Sequence, residues 1–274
     1  MSLFTVDETK CKRDGICSAV CPRGLIEMKD ADSLPLPTLI AEEMCSKCGH
    51  CVAVCPHGAL SHTAMTPEQC LPVRREWLLD QERVEHFLRS RRSIRNYKNK
   101  KVDREVLTKL IEIARFGPTG GNTQPVQWRV IYDTDEVQRL SGVIFDWLSH
   151  CMNDPKQENL VKKFSHTVAA WERGEDRINR GAPHLVVTHA PDDSPGALSA
   201  CTIALTYLEL AAPSLGLGAC WSGFLHEASK TWAPLQKALS LPEEHTCFGA
   251  MMIGYPQYTY RRLPLRNEPR ISWR

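Results

Sequence analysis

The 274-residue sequence has almost no charge imbalance: 34 Lys and Arg stand against 32 Asp and Glu. That excludes a field strong enough to draw a polyanion or an anionic membrane surface, so neither nucleic acid nor a membrane is an expected partner, and any anion site must be local. The opening residues, MSLFTVDETKCKRDGICSAV, lack the uninterrupted apolar stretch of a secretory leader, and no later run reads as long and apolar enough to span a bilayer. The expected location is cytoplasmic. Also missing is a Gly-x-Gly-x-x-Gly between a strand and a helix, so a Rossmann nicotinamide site has no support. The ten histidines form no arrangement that singles out a general acid. His184 and His189, which flank an expected strand, read as structural.

Cysteine is abundant, and it is unevenly placed. Seven of the twelve lie between positions 11 and 55, at metal-ligand spacing, and the others are scattered. Cys45-x2-Cys48-x2-Cys51-x3-Cys55-Pro56 is the bacterial ferredoxin run, in which three thiolates hold one iron–sulfur cluster and the fourth is directed to another. Cys21-Pro22-Arg23-Gly24-Leu25 is echoed thirty-four positions later by Cys55-Pro56-His57-Gly58-Ala59, which implies two similar halves. A zinc ribbon also pairs cysteines, but it needs four ligands where the repeat supplies seven.

The first half departs from the pattern. It reads Cys11-x5-Cys17-x3-Cys21-Pro22, with Asp14 where a second cysteine would stand. By the crossed rule Cys11, Cys17 and Cys55 serve the first cluster, and Cys21, Cys45, Cys48 and Cys51 a complete 4Fe–4S second one. Two readings of Asp14 stand side by side. It is a hard, weakly held fourth ligand that makes one corner of a 4Fe–4S cluster labile, or it is a solvated turn residue before Gly15 beside a 3Fe–4S cluster or one with water at its open corner. Cys70, Cys151, Cys201, Cys220 and Cys247 read as small buried hydrophobes.

Cysteine density falls after Leu60. Residues 1–66 read as a ferredoxin-like iron–sulfur domain, 67–84 as a turn-rich linker and 85–274 as a second domain. There Asp103 is placed to N-cap a helix whose apolar face is Val106, Leu107, Leu110, Ile111 and Ala114. Strands are expected at 128–132, 185–188 and 248–253, and an apolar helix at 197–212. Helices interleaved with strands predict a layered α+β domain.

Four short motifs follow in order: Arg91-Arg92-Ser93-Ile94-Arg95 before Tyr97, then Gly117-Pro118-Thr119-Gly120-Gly121-Asn122-Thr123-Gln124-Pro125, then Gly216-Leu217-Gly218-Ala219-Cys220-Trp221-Ser222-Gly223-Phe224, then Gly254-Tyr255-Pro256. In this order, behind a ferredoxin-like module, the chain resembles the nitroreductase family, in the subgroup with a fused N-terminal two-cluster domain. The resemblance implies an α+β FMN domain and an iron–sulfur flavoprotein oxidoreductase. Electrons from a redox protein would enter at the clusters, pass to FMN and leave to a small acceptor such as a nitroaromatic or a quinone. The alternative is an electron-transfer relay to a protein partner without small-molecule turnover.

The resemblance also implies residue roles. Arg91, Ser93 and Arg95, with Arg92 among them, would hold the flavin phosphate, ribityl chain and pyrimidine edge. Asn122 would contact the flavin, with Gln124 shaping that loop. Ser222 and Gly223 would lie by the isoalloxazine ring, where a glycine lets backbone N–H groups approach. Arg262 and Arg266 would close on the phosphate, a solvated basic tail being the alternative. No catalytic side chain is assigned. Family members hold each flavin between two subunits, so a homodimer is implied. Ala197, Ala200, Cys201 and Ala204 recur three or four apart and form a face for close helix approach, from a second copy or from within the same domain.

Overall fold

The computed structural model describes residues 2–152 and 158–274, without the side chains of 158–163. Contacts divide the chain into two units, Met1–Leu79 with Gly121–Thr123, and Asp80–Gly120 with Gln124–Arg274.

The first unit is built from very short elements: β1 (Phe4–Val6), α1 (Ile16–Ala19), β2 (Ile26–Glu27), β3 (Leu36–Pro37), α2 (Ala41–Met44), α3 (His50–Val54) and β4 (Leu60–His62). β1 pairs antiparallel with β4, Phe4 opposite His62, and β2 pairs with β3. The sequence repeat is visible in space. α1 and α3 each start directly after a glycine in the left-handed region, Gly15 at φ 71° and Gly49 at φ 76°, a conformation glycine takes without steric cost. At Gly49 a Cβ would also stand 2.5 Å from Met65 Sδ. The core is small: Leu3, Phe4, Cys17, Leu25, Ile26, Ala41, Val52 and Leu60.

The second unit contains α4 (Gln81–Ser90), α5 (Arg104–Ala114), β5 (Gln127–Ile131), α6 (Thr134–Met152), α7 (Glu158–Glu172), β6 (His184–Pro191), α8 (Ala197–Ala211), β7 (Gly218–Trp221), α9 (Gly223–Thr231), α10 (Ala233–Leu239) and β8 (His245–Gly254). The strands form one antiparallel sheet in the order β5-β6-β8-β7. Side chains alternate between its faces. Leu185, Val187, Ala250 and Met252 join α6, α9 and α10 on one side, and Val186, Met251 and Ile253 join α5 and α8 on the other. A sheet covered on both faces explains why β6 is buried from His184 to Ala190 and reads as a nearly continuous apolar run. The layered α+β architecture is thus present.

Three expectations need correction or refinement. Asp103 does precede α5, but its side chain makes no capping hydrogen bond. The segment Ala197–Leu215 is long and apolar enough, by length and composition, to cross a membrane, contrary to the expectation that no run qualifies. It nevertheless lays Leu205, Leu208 and Ala212 into the core beside the sheet. Its small-residue face is also internal. Ala197 and Cys201 pack with Ala190, Val126 and Phe248, and the Ala204 backbone comes so near Gly117 that a Cβ there would sit 3.5 Å from Ala204 Cα. Of the two readings of that face, packing within its own unit is the one observed.

Both structural histidines are buried. His184 accepts the Val102 N–H at Nε2 and lies 2.8 Å from the Tyr132 carbonyl through Nδ1, while His189 meets His245, Nδ1 to Nδ1, at 2.9 Å. Burial, His245 and Arg129 push His189 down to about 4.

Candidate functional site

In the first unit the cysteines sort into two cavities. One is lined by Cys21, Cys45, Cys48 and Cys51 with His62. The other is lined by Cys11, Asp14, Cys17 and Cys55. Each set draws on both halves of the repeat, because each Cys-Pro end carries its cysteine across to the other half. Among the described residues no three His, Cys, Asp or Glu side chains converge tightly enough for one metal ion. Zinc would need sulfurs about 2.3 Å from a single centre, so the donor sets suit a body of several atoms. Asp14 faces its cavity while Oδ1 accepts the Ile16 N–H at 3.2 Å.

Three sulfurs receive backbone N–H groups: Cys21 from Leu25 at 3.3 Å, Cys45 from Lys47 at 3.4 Å and Cys55 from Ala59 at 3.4 Å. Cys45 Sγ also lies 3.4 Å from His62 Nε2. Burial and the nearby Lys47 hold the His62 imidazole below its ordinary value.

In the second unit a cleft of about 760 Å³ opens beside β7 and the start of α9. Trp147, Phe164, Trp221 and Phe224 contribute aromatic walls, and Arg95, Arg180 and Gly223 line it too. Arg95 arrives through the segment before it, which runs along the free edge of β7. The Ile94 N–H donates to the Ala219 carbonyl at 2.9 Å, and Tyr97 Oη donates to the Ile94 carbonyl at 2.6 Å. Gly218 makes that approach feasible, since a Cβ there would lie 2.5 Å from Ile94 Cγ1. The Lys230–Glu227 and Arg177–Glu175 pairs largely cancel their own charge. Arg95 and Arg180 have no carboxylate in salt-bridge range among the described residues. Burial and the like charge of Arg95 push the Arg180 guanidinium down from its ordinary value. The cleft therefore presents two close cations, with Asp176 acting on Arg180 only from beyond salt-bridge range.

A buried polar network holds the cleft's rim. Asp176 accepts the N–H groups of Ile178, Asn179 and Gly181 at 2.8–3.1 Å, which fixes a loop where Arg180 takes a left-handed φ of 61°. Asn179 in turn accepts the Ser222 hydroxyl at 2.7 Å and donates to Ser141 at 3.0 Å. Ser222 also gives its backbone N–H to Ala250. Both its donors are thus committed inside the protein, and of the Ser222–Gly223 pair it is Gly223 that faces the cleft. Nothing lies within 4 Å of a Cβ added at Gly223.

The other expected residues do not line this cleft. Arg91 and Arg92 line a separate depression of about 280 Å³ with Tyr258, Tyr260 and Glu209. Arg91 is ion-paired to the buried Glu209 at 2.8 Å, and Arg92 Nε is buried with no partner. Ser93 lies 3.4 Å from Arg91 Nη1. Gln124 borders a third depression of about 370 Å³ beside Trp128 and Ala204. Asn122 groups with the first unit, its Nδ2 donating to the carbonyls of Ser46 and Lys47 at 3.0 and 3.2 Å. Arg262 and Arg266 are exposed in a tail without regular structure. Sequence reasoning missed Arg180, Asn179 and Glu209. Only Glu209 leaves a signal, as the one acid in an apolar helix, since a buried charge demands a partner. Cys220, buried beneath the cleft, has its thiol pushed up by that burial, which fits packing and not nucleophilic chemistry.

Residues 88–255 match the nitroreductase family, and residues 9–59 match a 4Fe-4S dicluster domain. Among similar sequences are a 5,6-dimethylbenzimidazole synthase of Rhodospirillum rubrum, 26% identical over 195 residues covering 67% of this chain and 85% of that one, and an iodotyrosine deiodinase of Thermotoga neapolitana, 24% identical over 186 residues covering 66% and 91%. A nitroreductase with bound FMN from Desulfitobacterium hafniense is similar in fold, with a TM-score of 0.57 and 23% identity over 71% of this chain and 99% of that one.

Proposed function

The chain belongs to the nitroreductase family and carries a 4Fe-4S dicluster domain in front, and from that premise we propose that it passes electrons from two iron–sulfur clusters to FMN and on to a small acceptor such as a nitroaromatic or a quinone. When bound, FMN supplies the exchange between one-electron and two-electron transfer. The observation that carries this reading is the open cleft beside β7, which joins aromatic walls to Arg95 and Arg180.

The residues present fit these groups. Arg95 and Arg180 favour the electron-rich edge of a flavin, and the unoccupied space over Gly223 lets a flat ring approach the backbone. Arg92, with a buried Nε lacking a partner, is the better phosphate donor of the opening motif, because Glu209 already neutralises Arg91. Ser222 acts through its network, by holding the rim, and not by touching the ring. Trp147, Phe164, Trp221 and Phe224 stack the acceptor and exclude water. An open aromatic cleft suits small-molecule turnover better than a relay to a protein. In the first unit Cys21, Cys45, Cys48 and Cys51 hold a 4Fe–4S cluster. Cys11, Cys17 and Cys55 would hold the other, with Asp14 as its fourth ligand. A redox protein is the donor, and the cytoplasm the setting.

Gly223→Val tests the placement. A Cβ there has no protein atom within 4 Å, so stability should change by no more than about 0.5 kcal/mol, while FMN affinity falls about 10- to 100-fold because the added methyls occupy the ring's space. Unchanged affinity, read by fluorescence titration of FMN, would move the flavin elsewhere.

The site is completed by a second copy. α4 has no buried residue, and Val84, Phe87 and Leu88 on it are 39–51% exposed. Leu265 and Trp273 of the tail are about 90% exposed (91% and 88%), and so much uncovered apolar surface calls for a partner. Light scattering at micromolar concentration should return twice the mass of one chain. A monomer with stoichiometric FMN would overturn the shared site.

A further inference from the structure

We propose that His62 is a positioning residue for the iron–sulfur cluster held by Cys21, Cys45, Cys48 and Cys51, donating Nε2–H to the Cys45 sulfur and thereby raising that cluster's potential. The proposal rests on the cluster assignment given above and goes beyond it, because His62 is neither a ligand nor part of any motif.

Three observations carry it. First, His62 lines the same cavity as the four thiols and is 5% exposed. Its ring is held at the end of β4 by pairing with Phe4 of β1, so it is not a passing surface contact. Second, the proton position is determined. The Ala64 backbone N–H donates to His62 Nδ1 at 2.9 Å, which makes Nδ1 an acceptor and leaves the ring proton on Nε2. That proton points at Cys45 Sγ, 3.4 Å away. Third, the two cavities differ in this respect. Cys45 receives both His62 and the Lys47 N–H, whereas at the other site backbone N–H groups reach the sulfurs, from Ala59 to Cys55 and from Ser18 to Cys17.

The consequence follows from charge. Reduction adds an electron that spreads over the cluster and its thiolates, and an N–H donor to a sulfur stabilises the more negative state. The His62 donor lies on a sulfur of the Cys45 cluster, so it should make that cluster easier to reduce than it would be without the imidazole.

The test is a redox titration of the intact protein without oxygen, followed by electron paramagnetic resonance of each cluster. His62→Phe keeps a buried ring and removes the donor. It should reduce the ratio of reduced to oxidised Cys45 cluster at fixed potential by up to about tenfold, about 59 mV for one electron, with the other cluster unmoved. His62→Gln, whose amide restores an N–H, should recover part of the shift. Iron content in the same samples separates a structural role, which would lower occupancy and leave the midpoint alone. If the wild type holds both clusters and His62→Phe moves neither midpoint, or moves both equally, the proposal is overturned and the cluster assignment survives. A wild type without clusters defeats both. Should His62→Phe fail to retain iron, electron–nuclear double resonance on the wild type labelled with 15N-histidine decides: a coupling of one imidazole nitrogen to the reduced Cys45 cluster is expected, and its absence overturns the assignment.

Discussion

Removal of iron by a chelator is expected to unfold residues 2–79 while residues 80–274 keep their sheet. The first unit has strands of two or three residues and helices of four or five, each far below the length at which such elements hold themselves together in water. Its core consists of eight buried residues, two of them alanine and cysteine. A unit of this size seldom draws more than about 3–5 kcal/mol from burial alone, and the ordering entropy of its long loops opposes folding. The free energy of binding the clusters is therefore most of its folding free energy. The second unit has two apolar layers around a four-stranded sheet and needs no such support. Hydrogen exchange reads the difference directly. After iron removal the amides of β1 and β4 should lose protection by orders of magnitude, whereas those of β6 and β8 should keep theirs. Persistent protection of the β1–β4 pair in the iron-free protein would show that the core suffices.

Glu209→Ala is expected to destabilise the second unit by about 2–4 kcal/mol. Glu209 is 7% exposed and its carboxylate meets Arg91, 28% exposed, at 2.8 Å. Removing the acid leaves a largely desolvated guanidinium without its counter-charge, and a void where the side chain stood. The cost lies in the stranded partner more than in the pair itself, so replacing both residues by apolar ones of similar volume, Arg91→Met with Glu209→Leu, should recover most of the loss. Urea denaturation followed by tryptophan fluorescence measures both variants. A single variant within about 0.5 kcal/mol of wild type would show the pair to be an exposed one in solution.

How much of this was legible in the sequence depended on the range of the interactions. The cysteine sets were legible because the ferredoxin spacing is short and repeated, and the cavities group the same residues. α5 was legible because Leu107, Leu110 and Ala114 recur at helical spacing, and β6 because Leu185, Val186 and Val187 form the short apolar run of a strand buried on both faces. The rim of the cleft was not. Ser222, Asn179 and Ser141 bond across about forty positions, and no window of sequence sees such a pairing. Arg180 sits in a loop whose left-handed turn is stabilised by Asp176, so neither its conformation nor its direction leaves a periodic trace. The small-residue face of α8 was legible as a face for close packing, but its occupant was not. Ala190, Val126 and Phe248 reach it only after the chain has folded back on itself.

The crossing of cysteines between the two halves of the repeat also bears on how the protein is made. Translation delivers Cys11 and Cys17 early, yet the cavity they line waits for Cys55, the last of the seven to emerge. The cavity of Cys21, Cys45, Cys48 and Cys51 gains its full set four residues sooner. Neither can be completed by the first half alone, so a nascent chain arrested before residue 45 would offer iron only an incomplete set of thiols. A complete set of thiols for either cavity therefore exists only in chains extended as far as Cys51, which makes the order in which the two sets are completed a property of the sequence.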